Sequence, residues 1–403
     1  MPDEVSVWIG LDVGKADHHA TVINPAGEVL FDRPVRNDQQ AIERLLDDAG
    51  AGAVLVIDQP GSIGSLAVAV ARERSLDVAY VPGLVMRRAS ELYPGEAKTD
   101  RRDSFVIADT ARIHQARVHW LQTNDELLEE LRILGGYDDD LAHDWTRTAN
   151  RLRDLLLQAS PAVERILGER LAHPAVRALL KRFPTPTAMK EAGRTRLRRV
   201  VVGKAPRMGA RLVDDLQAAL DSQTVTVPAE RTIGRIIGDL VDELDSLARS
   251  RERLGEDIEV VFQRHPLAPV LQSIPGIGAR TGARILTEIG DITRFPTPGH
   301  LAAYAGLAPV TRQSGRSING EHKSRRGNHR LKNALWLSAF CSLHHPPARD
   351  YYARKRAQGK KHNAAVLCLA RRRCDLIHSM LTTGTSYHWT PARPAELPAG
   401  APG

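Results

Sequence analysis

Cysteine is nearly missing from this chain. Cys341, Cys368 and Cys374 are the only three in 403 residues, too few for a disulfide framework and without the Cys-x-x-Cys spacing of a zinc site. They read as reduced structural thiols. No run of about eighteen apolar residues occurs, which excludes a membrane-spanning helix. The opening residues, MPDEVSVW, lack the basic stretch followed by an apolar one that marks a secretory leader. The reading is a soluble, cytoplasmic protein. Acidic residues are scarce in one region in particular: from Arg312 to the Arg373 neighbourhood, Arg and Lys far outnumber Glu321, Asp350 and Asp375.

What is present is core-forming material and positive charge. Hydrophobic residues make up 42%, so the chain buries real cores, and its length suits two or three domains at roughly 100–200 residues each. The net charge of +8 and a pI near 9.6 point to a polyanionic partner. The basic cluster concentrates that charge as an electrostatic footprint for phosphates; a solvated basic face is the plainer alternative.

The first 120 or so residues read as α/β. Strands are expected over Val5 to Leu11, Ala20 to Ile23, Glu28 to Arg33, Ala53 to Ile57 and Asp77 to Val81, with helices over Asn37 to Ala49 and Gly64 to Arg74. That element order is the one found in ribonuclease-H-like domains. Asp125 to Gln158 is helical, and a less regular helical stretch runs to about Ser222, broken at Pro184 and Pro186. Ile233, Ile237, Leu240, Leu244, Leu247, Leu254, Ile258 and Val261 then step by four and three, interrupted by Arg251. This is a coiled-coil seam, open to an intermolecular partner or to packing within its own domain. The expected division is 1–120, an acidic α/β domain; 121–265, a helical coiled-coil linker and oligomerisation region; 266–388, a mostly α C-terminal domain; and 389–403, a disordered tail rich in Pro, Ala and Gly.

Asp12 and Asp58 each follow an apolar run, which puts an ionised group at the rim of a sheet. Asp100 and Asp103 open a helix, and their spacing sets both carboxylates on one face. Magnesium takes hard oxygen ligands and keeps several waters, so carboxylates on different elements suit it. Two such ions can activate an attacking oxygen and stabilise the leaving one. Singly, each Asp is also explained as a cap or turn residue. The string Asp12-Val13-Gly14-Lys15 further resembles the phosphate loop of actin-like kinases, but those need a second Gly-rich motif in a repeated domain, and no repeat occurs.

Toward the C-terminus, Ser273-Ile274-Pro275-Gly276-Ile277-Gly278 followed by Ala279 to Ile289 reads as a helix-hairpin-helix element. There Gly276 and Gly278 permit a tight turn whose N–H groups could face a phosphate. Arg312, Arg316, Lys323, Arg325, Arg326, Arg330 and Lys332 are the candidate phosphate contacts. Ser314 lies in this Gly-containing, cation-rich loop. A serine attacks a phosphodiester only with its proton removed and the developing charge stabilised; the arginines serve the second need, and no base is evident nearby. From composition alone Ser314 is equally a structural residue, and Ser317 and Ser324 are comparable candidates.

Taken together, these strings resemble the DEDD transposases of insertion-sequence family one-ten, the bridge-RNA-guided recombinases. The N-terminal marks are Gly10-Leu11-Asp12-Val13-Gly14-Lys15, Asp58 after its strand, and Lys98-Thr99-Asp100-Arg101-Arg102-Asp103. The C-terminal marks are Ile274-Pro275-Gly276-Ile277-Gly278, Ala305-Gly306-Leu307-Ala308-Pro309, Gln313-Ser314-Gly315 and Arg326-Gly327-Asn328. The resemblance implies a RuvC-like domain with Asp12, Asp58, Asp100 and Asp103 as ligands of two Mg2+ ions. It implies a C-terminal transposase domain in which Ser314 is the nucleophile, and a dimer-to-tetramer sharing acidic and serine parts between protomers. Its implied partners are donor and target DNA and a structured noncoding guide RNA, at the bacterial nucleoid. The family's second acid is commonly Glu, whereas this chain has Asp58. The rival readings are a RuvC-like metal nuclease or junction resolvase with a structural Ser314, and a non-catalytic nucleic-acid-binding protein.

Overall fold

The computed structural model describes residues 5–59, 62–93, 99–115, 118–121, 126–308, 310–314, 318–322 and 327–389. They divide into two units, Met1–Asp125 and Glu126–Gly403.

In the first unit, β1 (Val7–Asp12), β2 (Asp17–Ile23) and β3 (Val29–Arg36) form an antiparallel meander, and β4 (Ala53–Ile57) and β5 (Asp77–Tyr80) join parallel to β1. A two-residue β6 (His119–Trp120) closes the other edge, so the six-stranded order is β3-β2-β1-β4-β5-β6. All five residues of β4 are buried because both faces are covered, which is why it reads as a continuous apolar run rather than an alternation. Leu55 and Ile57 join the core beneath α1 (Gln39–Ala49) and α2 (Ser65–Glu73), while Val54 and Val56 join the opposite core with Ile107 and Ala111. Asp38 caps α1 by accepting the Ala41 N–H at 2.8 Å.

Two features of this unit differ from expectation. β2 starts at Asp17, and α3 (Gly83–Ser90) follows the Pro82 turn. Three apolar residues across a short basic stretch were too weak a period to announce α3. The helix that matters for chemistry is α4 (Asp100–Ile113). It lies directly on β1 because position 10 has no side chain: a Cβ there would stand 2.1 Å from the Ser104 carbonyl oxygen and 2.6 Å from the Ala108 nitrogen.

Among its described residues the second unit is helical apart from one hairpin. α5 (Glu126–Ala159) and α10 (Glu230–Gln263) are 34 residues each and run antiparallel, as their cross-links show: Thr148 to Glu243, Arg251 to Asp138 and Arg264 to Glu130. The seam residues Ile233, Ile237, Leu240, Leu244, Leu254, Ile258 and Val261 are buried in this chain's own cores, with Leu247 partly so. The heptad-like stripe is therefore covered within the chain, by α5 and the helices beside it. Arg251, the polar interruption, is answered by Asp138 at 3.1 Å.

Between these long helices stand α6 (Pro161–Leu167), α7 (Pro174–Arg182), α8 (Pro186–Val202) and α9 (Gly209–Asp221). The expected break at Pro184 and Pro186 falls between α7 and α8, where Pro186 begins the next helix and Thr185 caps it through the Ala188 N–H. A second interruption, inside α8, is Gly193, at φ 71°, ψ 160°. After α10 come α11 (Ala268–Gln272), α12 (Ala279–Ile289) and α13 (Pro298–Tyr304). The antiparallel hairpin of β7 (Val310–Ser314) and β8 (Ile318–His322) follows, then α14 (His329–Cys341), α15 (Pro346–Ala357) and α16 (His362–Thr383). The expected disordered tail lies, from residue 390 on, outside the described residues. Among the described residues no helix is long and apolar enough to cross a membrane.

Candidate active site

Leu11 pairs with Ile57 across the parallel β1–β4 ladder, so Asp12 and Asp58 come next at the same end of neighbouring strands. Asp12 closes β1 opposite His19 of β2. The turn after it is held by His18, which is buried and whose Nδ1 accepts the Gly14 N–H at 3.2 Å. Burial lowers the His18 pKa, and the accepted Gly14 N–H requires an unprotonated Nδ1. Sequence reading passed over His18, since a histidine inside a strand carries no signal of its own.

Asp58 is half-buried, and its Oδ1 is enclosed without a hydrogen-bond partner. Burial, with Asp103's charge as a smaller cause, pushes its carboxyl above the ordinary range, against the weaker pull of hydrogen bonds from Gln59 and the backbone. Asp103 sits in the first turn of α4 together with Asp100, after the Thr99 cap that accepts the Arg102 N–H at 3.3 Å. Asp100 is exposed and Asp103 half-buried. The structure thus sets Asp58 within electrostatic reach of Asp103, aligns Asp12 beside Asp58, and leaves Asp100 at the open start of its helix. Among the described residues no three Asp, Glu, His or Cys side chains are close enough to hold a metal ion, so the four aspartates form no closed ligand cage.

Arg101 and Arg102 between those acids are both engaged. Arg101 pairs with Asp32 at 2.9 Å, and Arg102 donates to the carbonyls of Ser90 and Tyr93, each at 3.0 Å. The second contact pins α3 and its exit to the start of α4.

In the second unit Ser314 ends β7, its backbone paired with Ile318, and Arg312 pairs with Gly320. The side chains of Arg312 and Ser314 lie outside the described ones, as do Arg316, Ser317, Lys323, Ser324, Arg325 and Arg326 altogether. The base of the hairpin is well defined. Gly306 and Gly327 meet so closely that a Cβ on Gly327, at φ +109°, would stand 2.5 Å from the Gly306 nitrogen. Asn328 donates its N–H to the Tyr304 carbonyl and its side-chain amide to Glu288 and the Tyr304 hydroxyl, while its Oδ1 caps α14 through Leu331. Lys332 donates to the Gly306 carbonyl at 2.8 Å. Gly306, with Tyr304 just before it, and Gly327-Asn328 are therefore the two sides of one clasp that closes the loop carrying Ser314. Asn328, its centre, was legible only as part of a motif.

Other expected phosphate contacts also have internal partners. Arg330 pairs with Asp139 at 3.4 Å while remaining exposed. Gly276, at φ +86°, makes the expected turn and also faces α14: a Cβ would stand 2.5 Å from the Ser338 carbonyl oxygen, so turn and packing both require this glycine. Gly278 begins α12 with open space around it. Behind the turn, the buried Arg373 donates to Ser338 Oγ at 2.8 Å and to the Pro275 carbonyl at 2.7 Å.

Comparison with known proteins accounts for both halves. Residues 9–161 match the DEDD family of IS110 type described as Transposase, and residues 268–353 match the Transposase IS116/IS110/IS902 family. The chain is 48% identical to the insertion element IS110 43.6 kDa protein of Streptomyces coelicolor, over 99% of this chain and 98% of that one. It is 35% identical to the insertion element IS116 44.8 kDa protein of Streptomyces clavuligerus, over 98% of each. It is also 28% identical to the mini-circle putative transposase for IS117 of Streptomyces coelicolor, over 94% of this chain and 95% of that one. The chain belongs to the IS110 family of DEDD transposases, enzymes of DNA transposition and recombination.

Proposed function

We propose that this transposase cuts and rejoins DNA strands with Ser314 as nucleophile and the aspartates Asp12, Asp58, Asp100 and Asp103 as holders of Mg2+. The observation that carries the acidic half is the enclosed, unpartnered Oδ1 of Asp58 beside a second carboxylate, Asp103. A buried carboxylate with a second one beside it suits a divalent cation, and magnesium uses only one or two protein carboxylates besides water and phosphate oxygens. A bound divalent cation supplies Lewis-acid stabilisation of charge on the reacting phosphate. Asp58 and Asp103 would hold it, with Asp12 from the neighbouring strand and Asp100 from the same first turn of α4; two ions are the expected complement. The shorter Asp58, where the family commonly has Glu, sets its oxygens closer to the strand end.

The strand order β3-β2-β1-β4-β5, antiparallel then parallel, supports a RuvC-like reading of residues 1–120. The α11–turn–α12 segment supports a helix-hairpin-helix in 266–388, with 121–265 as the connecting helical region. In the reaction, Ser314 Oγ loses its proton and bonds to the scissile phosphorus as the phosphorus–oxygen bond to the leaving deoxyribose breaks. That oxygen takes up a proton. Attack by a free deoxyribose hydroxyl on the phosphoserine then reseals the strand and releases Ser314. Acidic and serine parts come from different protomers of a tetramer, and a noncoding RNA selects donor and target by base pairing. The basic run through Lys323, Arg325 and Arg326 supports phosphate contact.

The test uses protein, RNA transcribed from the element's noncoding flank, and DNA carrying both sites. A covalent protein–DNA adduct is expected in wild type and absent in Ser314→Ala. Cleavage that survives Ser314→Ala without any adduct would instead identify a metal nuclease whose nucleophile is water.

A further inference from the structure

Phe340 of α14 is 43% exposed, its neighbour Leu337 is 42% exposed, and neither is spent on the site already described. Phe340 stacks on Trp336, one turn earlier, with ring centroids 5.3 Å apart and planes 5° from parallel. His362, the first residue of α16, stands perpendicular to the Phe340 ring, with centroids 6.0 Å apart and planes at 88°. His362 is exposed, and its Nδ1 is fixed by the Tyr352 hydroxyl of α15 at 2.8 Å. Three helices thus contribute one row of rings, Trp336–Phe340–His362–Tyr352. Trp336 and Tyr352 are partly buried against the core, and Phe340 and His362 are open to solvent.

The surroundings of this row are positive. Asp350 is the sole acid between residues 349 and 373. Among the described residues no carboxylate pairs with Arg354, Lys355, Arg356, Lys360 or Lys361. Lys360 and Lys361 directly precede His362, and the first turn of α16 has neither an acidic residue nor a side-chain cap, which adds the positive end of a helix to the same spot. A patch of this kind meets two demands of an unpaired strand, a π-face for its base and cations for its phosphates. It suits a second copy of the chain poorly, since apposed patches would bring unneutralised lysines together.

We infer that Phe340 and His362, framed by Lys360 and Lys361, form a stacking platform for an unpaired base of a single-stranded nucleic acid. The platform belongs to the nucleic-acid-handling role proposed above and assigns it a recognition surface independent of Ser314. Its side chains were anonymous in the sequence because they come from three helices and become a row only on folding. A strand opened for exchange, or an unpaired RNA loop, presents the base that such a surface captures; a closed duplex does not.

The test measures binding of fluorescein-labelled single-stranded DNA, single-stranded RNA and duplex DNA of one length to the full chain, across a salt series. Phe340→Leu keeps apolar bulk and removes the π-face. It is expected to weaken single-strand binding about tenfold while leaving duplex binding and the salt slope unchanged. Lys360→Gln with Lys361→Gln should weaken all three probes and flatten the salt dependence. The DNA and RNA arms show which strand the platform prefers, and loss in either fits. Unchanged single-strand binding by a folded Phe340→Leu protein overturns the proposal, as does a change confined to its sedimentation, which would mark a contact between copies. Ser314→Ala should bind every probe as wild type does. A missing covalent adduct with the Phe340 effect intact would therefore refute the strand chemistry alone, and wild-type protein that binds no probe would refute both.

Discussion

The hydroxyls of Thr21 and Ser104 lie 2.6 Å apart in the interior, from positions 83 residues apart in the chain. Ser104 gives its own hydrogen to the Arg101 carbonyl at 3.0 Å, so Thr21 is the donor. This one bond joins the middle strand of the meander to the first turns of α4, immediately after Asp103. Together with Gly10 it determines how far the α4 carboxylates stand from the strand-end ones.

Gly10→Ala is therefore expected to push α4 off β1, since the new methyl would meet backbone rather than a flexible side chain. The cost should be about 1–3 kcal/mol, read as a lowered melting temperature, with strand transfer falling further than stability. Thr21→Val, which only removes the donor, should cost about 1 kcal/mol and spare more activity. Equal loss in both variants would mean that helix placement is not what the site requires.

Asp58 gives a pH-dependent signature. Its folded pKa stands above the ordinary 3.8, so its contribution to stability is present below that value and is lost as pH rises through the folded one. At pH 8 without divalent ions, Asp58→Asn should melt a few degrees higher than wild type, with the gap closing near pH 4. Adding Mg2+ at pH 8 should raise the wild-type transition and leave the variant's nearly unmoved. A calorimetric series that shows no gap would remove Asp58 from the proposed ligands.

Arg373 predicts a local effect at the turn before α12. Its burial pulls the guanidinium pKa down to about 10, and its hydrogen bonds hold Ser338 and the Pro275 carbonyl. Arg373→Ala opens a cavity and strands both acceptors, at a cost of about 2–4 kcal/mol. Hydrogen exchange should quicken first at residues 273–278. Uniform quickening across the second unit would show the residue to be a general core element instead.

The cysteines differ in reach. Cys374 is buried, and its thiol is pushed up to about 12 by that burial, while Cys341 is exposed. A thiol reagent at pH 8 should label Cys341 quickly and Cys374 only after denaturation, as peptide mass mapping would show. Rapid native labelling of Cys374 would mean that α16 opens readily.

Much of this architecture was legible because a single local signal sufficed. The five apolar residues at 53–57 could only be a strand covered on both faces, and Asp58 after them had to stand at its end. The four-three stepping from Ile233 to Val261 announced α10. Its partner was not legible, because the same stripe suits a helix of this chain or of another, and only the pairings Arg251–Asp138 and Arg264–Glu130 decide between them. Gly276 was legible in part. The backbone freedom that a glycine in a turn announces is used, at φ +86°, whereas its neighbour in space, Ser338, is 62 positions away in the numbering and invisible to a local reading. The acidic site was half legible: strand ends and helix turns locate the carboxylates, but the burial that raises Asp58 depends on how α4 seats.

The pair of long helices has a mechanical meaning. At 1.5 Å per residue each spans roughly 50 Å, and each passes through both cores of the second unit: Leu131, Leu141, Leu254 and Ile258 at one end, Leu152, Leu156, Ile237 and Leu244 at the other. Neither core can melt without baring half of the shared beam, so the unit should fail in one cooperative step. Load applied near the Asp139–Arg330 contact reaches α7 through the helix pair, since α7 packs on α10.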